Sequence, residues 1–448
     1  MPTDGTTFIT PLGLGFTLLL GVLLLVLPRR YALVPIIALV CYMTMGERVM
    51  VAGLNFTMIR ILVLFGWARV ALRGEMYSLR LNAIDKAIIL WTVSNVTTYT
   101  LLWRTTDAFI YRCGGAYNII GVYFLFRFLL RDTEDVVRAA RLLAVLILPL
   151  AAAMLLENTS GKNIFAAFGG VPDTTVIRDG VLRCQGSFAH PIMAGTFGAT
   201  VAALFLALWW QGQMSKLLAA LGFTASAVII ITSGSSGPVM AALAAMVGLA
   251  MWPLRKQMGF IRWAIVLTLV ALELVMKAHV WFLMARVNIF SGSDGWHRAY
   301  LIDRAIFNFS DWWLVGTKST EAWGYSLWDI TNGFVSEGAN GGLITLILFV
   351  AIITLCFRGV GRSLRAADDR RLQIFIWGLG AALMAHVTTY FSVSYFDQNF
   401  VNWFLLLAMI ATICTQFLDV KLRIHKAPAE SAALEAAATD GAPLVMPL

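Results

Sequence analysis

Residues 341–357, GGLITLILFVAIITLCF, carry no charge and follow directly on residues 288–340, NIFSGSDGWHRAYLIDRAIFNFSDWWLVGTKSTEAWGYSLWDITNGFVSEGAN. The first stretch reads as a membrane helix, since about 20 apolar residues cross the hydrocarbon core. The second is the longest interruption in an otherwise apolar chain, and it mixes His, Arg, Lys, Asp and Glu with five tryptophans. Working outward, apolar runs recur near 11–28, 31–46, 53–72, 84–102, 114–131, 139–156, 187–210, 216–233, 237–253, 261–285, 341–357, 372–394 and 399–418. The span at 31–46 is short, so the expectation is an all-α polytopic bundle of 12–13 transmembrane helices with a long, partly helical loop at about 287–340.

Composition agrees. The chain is 59% hydrophobic and 13% charged over 448 residues, too little charge to cover a soluble surface. Alternation with closely spaced turns is missing, which argues against a membrane β-barrel. The net charge of +9 sits in short loops, so it reads as a topology signal and not as a nucleic-acid surface. Alternate loops collect Arg29 and Arg30; Arg73, Arg80 and Lys86; Arg131, Arg138 and Arg141; Lys216; Arg255, Lys256 and Arg262; and Arg358, Arg362, Arg365, Arg370 and Arg371. These loops, with the C-terminus, are expected in the cytoplasm, and the 288–340 stretch on the opposite side. Residues 1–426 form the transmembrane domain, and the Ala-rich residues 427–448 a disordered cytoplasmic tail.

Cys41, Cys356 and Cys414 lie in apolar spans as packing residues, whereas Cys113 and Cys184 fall on the extracytoplasmic side, where a disulfide between them is open. Glu273 and Lys277, four residues apart, read as a local ion pair, with a proton relay as the functional alternative.

Three stretches could carry chemistry. RDGVLRCQGSFAHPIMAGTFG, residues 178–198, places Arg178, Arg183, Gln185 and His190 at a helix mouth, a combination suited to a diphosphate because guanidinium forks grip phosphate oxygens. The alternatives are a lipid-snorkelling Arg183 and a His190 that only caps the helix. The SGSSG turn at 233–237 reads mainly as a tight helix connection. In the long loop, His297, Leu301, Arg304 and Asn308 share a helical face, as an amphipathic surface helix would. Arg298, Lys318, Asp329, Asn332 and Glu337 add polar groups among tryptophans, which could form an interfacial belt or stack on sugar rings. Phosphate-loop, dinucleotide-turn, HExxH and paired CxxC patterns do not occur.

This layout resembles the O-antigen ligase and O-antigen polymerase superfamily of bacterial envelope proteins. The resemblance rests on Arg183-x-x-Gly186-x-Phe188-x-His190-Pro191, on the Ser/Gly turn at Ser233–Gly237, and on Asp329-x-Thr331-Asn332-x-Phe334 followed by Gly341-Gly342. It implies a metal-independent, cofactor-free, GT-C-like glycosyltransferase in the inner membrane, with its active face periplasmic. Such an enzyme moves glycan from undecaprenyl diphosphate to an acceptor glycan or glycolipid, with a chain-length regulator or other envelope-polysaccharide protein as candidate partner. By that resemblance Arg183, supported by Arg178 or Arg298, holds the diphosphate, and the base is His190, His297, Asp329 or Glu337. Two departures favour an exopolysaccharide-type polymerase over a lipopolysaccharide ligase: Thr331 stands where ligases carry His, and Ser235-Ser236-Gly237 lacks the arginine of Ser-Arg-Gly. A flippase-like transporter without covalent chemistry is the competing class.

Overall fold

The computed structural model describes residues 7–51, 54–286, 295–396 and 398–417, so the tail at 427–448 and residues 287–294 of the long loop lie outside the described residues. Helices occupy all of the apolar runs. They are α1 Pro11–Val26, α2 Leu33–Tyr42, α3 Met58–Leu72, α4 Ala83–Trp103, α5 Thr106–Leu129, α6 Thr133–Ser160, α7 Pro191–Leu208, α8 Gln213–Thr232, α9 Ser236–Ala250 and α10 Met258–Val275. After α11 Gly295–Phe307 and α12 Phe309–Trp312 in the long loop come α13 Gly333–Ala366, α14 Arg370–Tyr390 and α15 Asn399–Phe417. Seven of these are long and apolar enough to cross a membrane: α6, α7, α8, α10, α13, α14 and α15. The only sheets among the described residues are two hairpins, β1 Arg48–Val51 with β2 Leu54–Thr57 and β3 Val176–Arg178 with β4 Val181–Arg183.

The bundle is built around α7, 89% of whose span is buried. Its run of Ala194, Gly195, Gly198, Ala199, Ala202 and Ala203 lets α8, α9 and α14 approach closely. The side-chain N–H groups of Asn399 and Asn402 of α15 donate to Met193 O and Thr200 Oγ1 at 2.9 Å each, tying α15 to α7.

Alternate connections gather at two ends. At one end Arg131 reaches Glu75 O, Arg141 reaches Gln211 O and Gln211 reaches Arg371 O, so the Arg-rich loops meet each other. At the other, Gln398 donates to Met43 O and Ser187 O, Cys184 N to Thr232 O, and Ser394 Oγ to Ile330 O. The segregation of basic loops read from the sequence is therefore a spatial one.

Two details differ from expectation, and the open question of Cys113 and Cys184 is answered. α10 stops at Val275, because Met276 is extended and the Glu273 carboxylate turns to His279 Nδ1 and Val280 N; Lys277 is no longer on its helical face. Cys113 and Cys184 are free thiols, one exposed and the other buried against Asn158 Oδ1. α13 begins at Gly333 and not at Gly341, capped by the Asn332 side chain, and breaks at Gly342 (φ 72°, ψ −178°). At that break the chain crosses Trp313–Gly316: Leu343 N donates to Trp313 O at 2.8 Å, and Thr317 N to Ala339 O at 2.7 Å. A Cβ on Gly342 would stand 2.5 Å from Leu314 O and require the same positive φ. Gly342→Ala is therefore expected to cost about 2 kcal/mol or more, read as a lowered thermal midpoint of the purified protein.

The five tryptophans divide. Trp312 and Trp323 are buried in a small core with Leu301, Ala305, Leu327 and Ala339, while Trp296, Trp313 and Trp328 stay exposed. α11 thus buries an apolar face against its own loop instead of resting on lipid alone.

Candidate functional site

The site begins at the β3–β4 hairpin. Asp179 and Gly180 both take positive φ (51° and 77°), the conformation of a two-residue turn whose twist matches the strands. Val176 pairs with Arg183, so Arg178 and Arg183 fall on one face of the ribbon. The hairpin is anchored by Cys184 N on Thr232 O, and beyond it the Glu157 carboxylate receives the N–H groups of Gln185 and Gly186 at 3.1 and 2.9 Å. Gly186 (φ 57°) turns the chain into α7, where His190 is the N-cap and Pro191 opens the helix.

Arg183 does not snorkel. It is 7% exposed, and its Nη2 donates to Ser235 Oγ at 2.8 Å, while Ser235 Oγ donates to Ser233 O at 2.9 Å. Ser235 is the N-cap of α9. Arg298 of α11 arrives at the same place: a Cβ on Gly237, in the first turn of α9, would lie 3.9 Å from Arg298 Nη2 and 3.0 Å from Ser392 Oγ. Two guanidinium groups and the positive end of a helix dipole therefore converge, an arrangement that receives anions.

His190 completes this group. Burial, and then the charges of Arg183 and Arg178, push its pKa down from 6.5 to about 4. Its Nδ1 accepts from Ile192 N at 3.2 Å, so the neutral ring carries its proton on Nε2. The unfolded ring protonates near 6.5 and the folded one near 4, so between those values the unfolded state binds more protons and stability falls as pH drops. The loss approaches about 3 kcal/mol at most, lessened by solvent at the partly exposed ring. His190→Asn, which retains a capping side chain, should flatten the acid limb of thermal unfolding measured between pH 4 and 7.

The other expected residues divide among three places. His297 follows Trp296 on α11, and its Nε2 donates to Asp329 O at 3.2 Å, because a carbonyl can only accept. The Asp329 carboxylate is exposed at that contact. Arg304 lies over the rings of Tyr300 and Phe307 at 5.1 and 5.5 Å. Lys318 and Glu337 stand with α4, against Trp103 and Trp91 respectively. Gln185 and Asn332 use their side chains on the framework: Gln185 Nε2 donates to Phe188 O, and Asn332 caps Val335 N and reaches Phe391 O. No group of three His, Cys, Asp or Glu side chains among the described residues is placed to hold a metal ion.

Sequence reasoning read Ser235 only as part of a tight turn and passed over Ser392, whose signal is tertiary. It also passed over His386, buried within α14 with Nδ1 2.6 Å from Tyr395 OH. A histidine inside an apolar span was the available signal there.

Fold and site together define a polytopic helical membrane protein with an arginine-rich, anion-receptive group at the end opposite its basic loops. No protein-family model matches the sequence, and neither does any curated protein or solved structure.

Proposed function

We propose that the protein is an inner-membrane glycosyltransferase that takes glycan from an undecaprenyl-diphosphate carrier and joins it to a sugar hydroxyl of a growing polysaccharide at the periplasmic face. The observation that carries this reading is the meeting of Arg183 and Arg298 at the N-terminus of α9. In the reaction the acceptor oxygen attacks the anomeric carbon, the bond from that carbon to the diphosphate oxygen breaks, and the diphosphate leaves with the electron pair. Negative charge grows on the leaving oxygens, where fixed guanidinium forks and helix N–H groups stabilise it most. The acceptor proton needs a base. His297, on the same helix as Arg298 and with no hydrogen bond at Nδ1 among the described residues, suits this better than His190, whose Nδ1 is engaged and whose pKa is lowered to about 4.

The test supplies undecaprenyl-diphosphate glycan to the purified protein in lipid nanodiscs. Lengthened glycan with free undecaprenyl diphosphate is the expected result; glycan that only changes leaflet, tested in proteoliposomes, would establish transport instead. Sidedness has its own check. A Tyr325→Cys variant in a Cys113→Ser background, exploiting a side chain that is 88% exposed, should react with a membrane-impermeant maleimide from the periplasmic side. Labelling only after lysis would reverse the topology.

A further inference from the structure

A second constellation lies away from the arginine group. Trp91, Asn95, Tyr99 and Trp103 recur every fourth residue and so share one face of α4. Exposure rises along this stripe, from 7% at Trp91 and 8% at Asn95 to 37% at Trp103. Glu337, in the first turns of α13, accepts from Trp91 Nε1 at 2.9 Å, with Asn95 one turn further along the same face of α4. On α5, the Arg112 guanidinium lies 4.0 Å over the Tyr99 ring and faces Glu337 electrostatically. Among the described residues Arg112 Nε is buried without an acceptor. At the outer end Lys318 Nζ sits 5.5 Å from the Trp103 ring. Ser94 and Thr345, bonded at 2.7 Å, pin α4 to α13.

A partly buried carboxylate and guanidinium are costly unless they bond each other or are kept for a ligand. Here they are held apart on aromatic supports. Trp91 takes one acceptor position of the carboxylate, which leaves capacity for further hydrogen bonds. A free acceptor opposite a free donor matches the vicinal hydroxyls of a sugar ring, and the Tyr99 and Trp103 rings offer flat apolar surfaces to its C–H faces. A purely structural face would close the charge pair or replace it with apolar packing.

We propose that the Trp91–Asn95–Tyr99–Trp103 face of α4, with Arg112 and Glu337, is a saccharide-binding subsite that receives the acceptor glycan. The acceptor role rests on the glycosyltransferase reading; the affinity for sugar does not. The subsite adjoins the arginine group through a single segment: Tyr390 is within electrostatic reach of Glu337, and two residues on, Ser392 faces Gly237 beside Arg298.

The experiment uses the full chain in nanodiscs free of maltoside detergent, which is itself a sugar. The probes are fluorescently end-labelled oligosaccharides released by mild acid from the source cell's own surface polysaccharide and, separately, undecaprenyl diphosphate. Wild type should bind the oligosaccharides. Glu337→Gln, which keeps the side-chain shape, and Arg112→Gln should each weaken that binding about tenfold or more. Both variants should bind undecaprenyl diphosphate as wild type does, and Arg183→Ala should show the reverse pattern. Oligosaccharide binding that is absent in wild type, or unchanged in both folded variants, overturns the subsite. Undecaprenyl diphosphate that fails to bind while sugar binding remains sensitive to Glu337 removes the glycosyltransferase reading and leaves the subsite standing.

Discussion

Arg183→Ala should slow release of undecaprenyl diphosphate from its glycan by about 10²–10³-fold, the cost of removing one fixed donor from a site where charge develops on oxygen. The expectation follows from where the guanidinium is held. Its Nη2 is fixed on Ser235 at the start of α9, and the residue is 7% exposed, so it is oriented before any ligand arrives. Arg183→Lys keeps the charge but loses the planar fork, and it should recover only part of the rate. Ser235→Ala leaves the arginine but frees its orientation, so the loss should be smaller and fall on turnover more than on binding. Arg298→Ala should resemble Arg183→Ala, since both groups address the same helix terminus. Because Arg183 is buried, each variant needs a thermal midpoint beside its rate. A folded Arg183→Ala protein working at the wild-type rate would remove this residue from the reaction.

Much of the fold was readable because lipid imposes a simple grammar: each apolar run from 11–28 to 399–418 holds a helix, and the basic loops meet at one end. The boundaries that slipped were set by contacts a linear pattern does not carry. Residues 333–341 look polar enough for a loop, yet Asn332 caps them into the opening of α13, and Gly342 turns where the chain crosses Leu314. Conversely, 276–285 looks apolar enough to continue α10, but Glu273 ends that helix by capping Val280. Of the site, the Arg178–His190 cluster was legible because its members are neighbours in sequence. The approach of Arg298 to Gly237 was not, since it depends on how α11 docks. Glu337 was visible as a polar residue, but its surroundings, Trp91, Asn95 and Arg112, lie on α4 and α5, and the fourth-residue spacing on α4 does not show that this face turns toward α13.

The largest stability effect should come from Asp85, far from the candidate site. Arg127 Nε and Nη2 reach Asp85 Oδ1 and Oδ2 at 2.9 and 3.3 Å, Tyr123 OH donates to Oδ1 at 2.6 Å, and Asn82 N donates to Oδ2 at 2.8 Å. Arg127 also bonds Thr412 and Thr415, so the group ties α4, α5 and α15 together with both ions essentially fully buried. Asp85→Ala leaves a guanidinium in a dry interior and should cost about 3–5 kcal/mol. Arg127→Ala should cost less, because a lone carboxyl can take up a proton, whereas a lone guanidinium cannot lose one. The paired variant Asp85→Asn with Arg127→Met should be more stable than Asp85→Ala alone, since no unpaired charge remains. Chemical unfolding of the purified protein measures all three. The same series separates the two ends of the molecule: undecaprenyl diphosphate affinity per folded molecule should stay at the wild-type level in Asp85→Ala. If affinity fell in step with stability, the charges at the basic end would be coupled to the ligand site, and the division of labour between the two ends would be wrong.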